Sequence, residues 1–273
     1  MPAIQVNEAT YFYRRQGNGP PLLLLHGFTG SSKTWLPLIA ELETEMDVVA
    51  VDLLGHGQSA RPETIARYAI EAAAADIVRI MRELGCDSFH LLGYSMGGRL
   101  ALYTARYYPQ LVLTLQLESS SPGIASENER LARRHRDAEL ADAIEQKGIA
   151  PFVQLWESLP LFASQEMVPQ TQRDSLRQQR LRNDPRGLAN SLRGMGTGVQ
   201  PSLWEELPYV TMPVQLICGS LDKKFLAINE RMVQLLKNAR LTKVPDAGHT
   251  VHFERPRQFA ALVERFLRTK HLR

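Results

Sequence analysis

Five apolar runs recur along the chain without the alternation of a half-exposed sheet. They end at Leu25 in PPLLLLHG, cover 48–51 in DVVAVDLLGHG, lead into Ser95 in SFHLLG, and cover 111–118 in LVLTLQLE and 214–218 in PVQLICG. A strand apolar at every position is covered on both faces, as in a parallel sheet. Between these runs the period changes to helical spacing over 35–42, 70–84, 96–108, 225–236 and 258–267. Strands alternating with helices in this way predict an α/β fold, a mostly parallel sheet flanked by helices.

The alternation stops after ESSSPG. From about 124 to 204 the chain is rich in Arg and Gln, helical in pattern and free of strand signals, and strand chemistry resumes at Val214. A separate domain would not need the last strands to finish the first core. The economical arrangement is a core of residues 1–121 and 206–273 with a helical cap, 122–205, inserted between two strands of one sheet. There is no internal repeat and no low-complexity segment.

Composition narrows the class of function. At 273 residues and 44% apolar content the chain can bury a full core. Its formal charge of +3 is small and its cations alternate with acids, which argues against a nucleic-acid footprint. The two cysteines, Cys86 and Cys218, are far apart and lack metal-ligand spacing, so neither a disulfide framework nor a metal site is expected. The N-terminus has no basic segment followed by an apolar core, and no run approaches the roughly 20 apolar residues of a membrane span. A cytoplasmic protein with no membrane span is the expectation; oligomeric state is not legible.

The chemistry starts at GYSMG, a G-x-S-x-G pattern between an apolar strand and a helix. Glycines at 93 and 97 permit a tight strand-to-helix turn that presents Ser95 at the helix N-terminus. A serine hydroxyl is inert without a base, and an acid and a histidine follow in order. Asp222 lies in GSLDKKF just beyond a strand, and His249 in PDAGHTVHFERP in the loop after the next. Asp222 would fix the imidazole tautomer while His249 takes the serine proton. Asp246, His252 and Glu118 are the weaker competitors: Asp246 is too near His249, His252 reads as the start of the last helix, and Glu118 is the fallback acid. The loop HGFTG after the first strand offers the Phe28 amide, with Met96 after the nucleophile, as an oxyanion hole. His26 and Gly27 shape that loop, and His56 in DLLGHGQSARP reads as structural.

Together, LLLLHGFTGSSKTW, DLLGHGQSARP, GYSMGG and the acid and histidine segments resemble the α/β-hydrolase superfamily across nearly the whole chain. Ser95 removes the dehalogenase branch, which places Asp at the nucleophile. GYSMGGR, WESLPLFAS, QQRLRNDPRGLANSLRGMGTGVQPSLW and DKKF further resemble the 2-succinyl-6-hydroxy-2,4-cyclohexadiene-1-carboxylate synthase family, MenH-like enzymes of menaquinone biosynthesis. That resemblance implies a lyase eliminating pyruvate from a succinyl-bearing enolpyruvyl cyclohexene, without metal, nucleotide or flavin.

Such a substrate is a small polycarboxylate, and planar guanidinium groups recognise carboxylates in a bidentate fashion. Arg99, one turn beyond Ser95, is the first candidate clamp. Arg133 aligns with a substrate-binding arginine of the family, and Arg180 is the matching residue on the second cap segment, with Arg182 its neighbouring alternative. Tyr94 and Trp156 resemble substrate-contacting aromatics; cap-core packing is the competing role for Trp156. The same triad would serve a carbon-carbon bond hydrolase or a carboxylesterase. A receptor-like member of the fold usually loses a triad residue, and none is missing here.

Overall fold

The structure, a computed structural model, describes residues 2–271. Its strands are β1 (Ala3–Val6), β2 (Ala9–Gln16), β3 (Pro21–Leu25), β4 (Asp47–Val51), β5 (Phe89–Tyr94), β6 (Val112–Glu118), β7 (Val214–Gly219) and β8 (Ala239–Val244). They form one sheet in the order β1-β2-β4-β3-β5-β6-β7-β8. The β1/β2 and β2/β4 pairs are antiparallel, and every pair from β4 to β8 is parallel. The helices are α1 (Leu36–Leu42), α2 (Ile70–Glu83), α3 (Met96–Tyr107), α4 (Glu127–Lys147), α5 (Ile149–Glu157), α6 (Gln170–Leu181), α7 (Pro185–Met195), α8 (Lys223–Leu235), α9 (Val251–Glu254) and α10 (Pro256–His271).

Strand β3 shows why its sequence is uniformly apolar. Leu23 and Leu25 enter the core under α2, α3 and α8, with Ile77, Leu100 and Met232. Leu22 and Leu24 enter the opposite core under α1 and α10, with Ile39 and Phe259. Side chains alternate between faces, and helices cover both.

The N-terminal strands β1 and β2 were not legible as apolar runs. They sit at the antiparallel edge, where AIQV and ATYFYRRQ carry polar residues on exposed positions. Strand β8 is the other edge, and its ARLTKV alternates accordingly. Helix ends move for local reasons. The segment from Ser32 to Trp35 is a 3-10 turn before α1, α8 starts at Lys223 because Asp222 caps it, and Pro256 stands at the first position of α10, where its missing N–H costs nothing. His252 lies in the separate short helix α9.

Helices α4 to α7 lie between β6 and β7 in sequence and share a small core of Ala141, Ile144, Phe152, Val153, Leu188 and Leu192. Met195 and Leu203 rejoin the main core. We treat this segment as the proposed cap, 122–205. Among the described residues no helix is long and apolar enough to cross a membrane.

Two buried polar groups hold the N-terminal half together. The Asp76 carboxylate, fully buried on α2, accepts from Tyr11 Oη at 2.6 Å, Asn7 Nδ2 at 2.7 Å and Arg67 Nη2 at 2.7 Å, tying the β1–β2 hairpin to the helix. Asp76→Ala strands these donors and should cost about 1–3 kcal/mol in urea denaturation; a change within error would mean that the hairpin is held by apolar contacts alone.

The second is the pair His26 and His56, whose rings lie 5.1 Å apart beneath the loops after β3 and β4. His26 Nδ1 donates to Gly27 O at 2.8 Å, and its Nε2 accepts from the Leu53 N–H at 3.0 Å. Burial pushes the imidazoles down to about 4 for His26 and about 3 for His56. Unfolded imidazoles titrate near pH 6.5, so below that the unfolded chain binds more protons than the folded one. Stability is therefore full above about pH 6.5 and is lost as pH falls toward 4 and then 3. The urea midpoint should drop steadily between pH 7 and pH 4.5, with a shallower slope in His56→Gln; parallel slopes would remove His56 as a source.

Candidate active site

The strand β5 ends at Tyr94 and the helix α3 begins at Met96, leaving one residue for the turn. Ser95 makes it with φ of +49°, a left-handed backbone that costs a residue with a Cβ roughly 1–3 kcal/mol. The turn is held by the Ser95 N–H donating to Glu118 O at 2.9 Å and by Ser120 Oγ donating to Ser95 O at 3.1 Å. Glycine is required at 97, because a Cβ there would overlap the Leu25 carbonyl oxygen at the end of β3.

Asp222 follows β7 and His249 follows β8, so adjacent parallel strands deliver both beside Ser95. His249 Nδ1 lies 2.6 Å from Asp222 Oδ2, and His249 Nε2 lies 3.1 Å from Ser95 Oγ. With a carboxylate at Nδ1 that nitrogen carries the proton, leaving Nε2 to accept from the serine hydroxyl. Asp222 Oδ1 also accepts from the Phe225 N–H at 3.2 Å, so the acid is clamped from two sides. The imidazole is buried among Phe225, Tyr94 and Phe162, at centroid distances of 4.5, 5.4 and 6.0 Å.

The competing groups are elsewhere. Asp246 is exposed. Glu118 is buried but turned to His252, whose Nδ1 lies 2.7 Å from Glu118 Oε2, and that pair supports Tyr94 from below, with the Tyr94 and His252 rings 4.7 Å apart. Burial, assisted by the Glu118 charge, raises the Tyr94 phenol well above its ordinary range, so it remains a neutral hydroxyl. His56 packs against Phe28 at 5.6 Å.

A cavity of about 200 Å³ opens above Ser95 and His249. Phe28 and Met96 are on its wall, and their amide N–H groups donate to no other described residue. Arg99 and Arg133 are also on the wall. Arg99 is buried, and its Nη1 donates to Met195 O at 2.9 Å and to Gln200 Oε1. Among the described residues no carboxylate pairs with it. Burial, and then the like charge of Arg133, lower its pKa to about 10, which leaves a full cation at neutral pH. Arg133 is half-buried and bonded to Asp137, one turn along α4, at 2.7 Å.

The other arginines are placed differently. Arg180 is buried, paired with Glu157 at 3.0 Å and lies 5.4 Å from the Phe162 ring centroid. It faces a neighbouring cavity of about 440 Å³ that shares Phe28, Tyr94, Trp156 and Phe162 with the first. Burial lowers the Arg180 pKa, against the pull of Glu157. Arg182 borders a third cavity beside Ser31 and Asp52, away from Ser95. Trp156 packs with the core of the inserted helices and, 5.3 Å from the Phe28 ring, forms part of the partition between the two cavities.

Sequence reading missed Gln200, which braces Arg99 from the cap exit, and the aromatic enclosure of His249 by Phe162 and Phe225. Only the resemblance of the segment ending in GTGVQPSLW to the family's pattern pointed toward Gln200; nothing in a single sequence pairs it with a residue a hundred positions away.

Comparison with known proteins gives the family. Residues 20–256 match the alpha/beta hydrolase fold family. A Bacillus subtilis protein provisionally named 2-succinyl-6-hydroxy-2,4-cyclohexadiene-1-carboxylate synthase is 45% identical over 246 residues, 90% of this chain and 89% of its own. The enzyme of that name from Serratia proteamaculans is 31% identical over 92% of this chain and 94% of its own. The solved structure of MenH from S. aureus superposes with a TM-score of 0.90 at 36% identity, covering 96% of this chain and 98% of that one. The chain belongs to the alpha/beta hydrolase fold family, and within it to the branch of MenH-like enzymes.

Proposed function

We propose that this chain eliminates pyruvate from 2-succinyl-5-enolpyruvyl-6-hydroxy-3-cyclohexene-1-carboxylate to give 2-succinyl-6-hydroxy-2,4-cyclohexadiene-1-carboxylate, a step of menaquinone biosynthesis in the cytoplasm. The observation that carries the reading is Arg99, a buried cation with only neutral partners on the wall of the cavity that holds Ser95 and His249. The nearest acid to act on it, Asp137, is bonded to Arg133 instead, and a carboxylate-bearing ligand would supply Arg99 with a direct partner. A simple ester would not.

In this mechanism His249, oriented by Asp222, takes the Ser95 proton, and the serine oxygen removes the hydrogen from ring carbon C2, next to the succinyl ketone. The C2–H electron pair becomes the C2=C3 double bond. The former C3=C4 pair moves to C4=C5, and the C5–O bond breaks with its electrons on the departing enolpyruvate. The proton taken from C2 restores the Ser95 hydroxyl, and His249 passes the proton it took from Ser95 to the leaving group, which becomes pyruvate. Negative charge that grows on the succinyl ketone oxygen meets the N–H groups of Phe28 and Met96. Arg99 and Arg133 hold substrate carboxylates, Arg180 contributes from the neighbouring cavity, and Tyr94 and Trp156 bound the ring.

Pyruvate release should vanish in Ser95→Ala, and robust turnover by that variant would sink the mechanism. Wild-type protein that hydrolyses p-nitrophenyl acetate efficiently and releases no pyruvate would instead be a hydrolase on the same triad.

Arg133→Ala should lower kcat/KM for the enolpyruvyl substrate about tenfold to a hundredfold, the loss of a charge-assisted contact of roughly 1.5–3 kcal/mol. Arg99→Lys should recover only part of the activity that Arg99→Ala loses, since an ammonium lacks the planar fork. Arg99 also braces Met195 and Gln200, so both variants need their melting temperatures measured. A neutral aryl ester hydrolysed as poorly as the enolpyruvyl substrate would make Arg99 a structural prop.

A further inference from the structure

The DKKF segment contributes more than its aspartate. Lys224 lies on the first turn of α8, two residues beyond Asp222, and forms part of the wall of the cavity that holds Ser95. Its Nζ lies 5.7 Å from the Phe225 ring centroid, and that ring is 4.5 Å from the His249 imidazole. Among the described residues no carboxylate pairs with it. The acid at this helix end, the N-cap Asp222, is committed to His249 and to the Phe225 N–H, which leaves Lys224 as a cation on the cavity wall without a bonded counter-ion. A solvated lysine on the wall of the cavity that holds Ser95 is free to meet an anionic group that enters it.

The distribution of charge around the cavity identifies which anion. Arg99 and Arg133 form a pair, close enough for the charge of one to weaken the other's hold on its proton. Lys224 is placed by its neighbour Phe225, whose ring packs on His249, and is not among the charges that act on Arg99. The substrate of the proposed reaction divides its carboxylates in the same way. The ring carboxylate and the succinyl arm are on adjacent carbons, C1 and C2, while the enolpyruvyl ether is on C5, across the ring from C2.

We infer that Lys224 is a substrate-binding residue that holds the carboxylate of the enolpyruvyl group, opposite the arginine pair that holds the other two. The inference rests on the lyase reading of this site. Lys224 then retains the three-carbon acid as the C5–O bond breaks, and its flexible, exposed stem lets pyruvate leave.

The test measures binding of pyruvate and of succinate, the latter standing for the other arm, to full-length wild type, Lys224→Gln and Lys224→Arg by ligand-observed NMR. In Lys224→Gln the pyruvate Kd should rise at least about fivefold while the succinate Kd stays within about twofold, and kcat/KM for the enolpyruvyl substrate should fall roughly tenfold or more. Lys224→Arg should restore most of the pyruvate binding, since the charge is kept. An unchanged pyruvate Kd in a folded Lys224→Gln, equal weakening of both acids, or no pyruvate binding to wild type overturns the assignment. These binding measurements need no turnover. Wild type that binds pyruvate through Lys224 but releases none from the enolpyruvyl substrate would therefore defeat the lyase reading and leave the carboxylate site standing.

Discussion

The contact on which the site depends is the approach of the first turn of α3 to the end of β3, where Gly97 meets the Leu25 carbonyl with no room for a side chain. That approach forces the reversal of direction into a single residue, and Ser95 takes the left-handed conformation as a result. A strained turn persists only where its surroundings over-determine it. Here the central parallel strands β3, β5 and β6, packed on both faces, hold both ends of the turn. The same close approach places the Met96 amide next to the loop that carries Phe28, so both amides border one cavity.

The chemistry of the cavity then follows from unequal treatment of charge. Asp222 is satisfied twice, by His249 and by the Phe225 amide. Arg180 has Glu157, and Arg133 has Asp137. Arg99 alone among these is held by neutral oxygens, those of Met195 and Gln200. Neutral acceptors fix the direction of a guanidinium without cancelling its charge, which keeps its attraction for an anion intact.

The inserted helices complete the site. They bring Trp156, Phe162, Met195 and Gln200 over a sheet that supplies Ser95, His249 and Asp222. Phe162 and Phe225 dry the imidazole, and Trp156 with Phe28 divides the space above it into two lobes. Electrostatic contacts gain strength where water is excluded, so the inserted helices strengthen the contacts among Ser95, His249 and Asp222 without contributing a residue to them.

The sequence by itself determined the parallel core, and it singled out the helical stretch before Val214 and the candidates Ser95, Asp222 and His249, which the fold brings within hydrogen-bonding reach. Each rests on a local rule: strands buried on both faces are largely apolar, although β6 also hides Thr114, Gln116 and Glu118, and a strand-to-helix elbow needs small residues at fixed offsets from its serine. It left β1, β2 and β8 indistinct, since edge strands face solvent on one side and mix polar with apolar residues. Tertiary structure alone decided which charges are paired. Arg99, Arg133 and Arg180 look alike in a linear sequence, yet the fold gives Arg99 to Gln200, a hundred residues away, and Arg180 to Glu157 in an adjoining cavity. It likewise turned Glu118 to His252 and Asp222 to His249. Local spacing cannot carry that information, because an ion pair is defined by distance in space, and a few ångströms decide whether a buried cation is neutralised or left for a ligand.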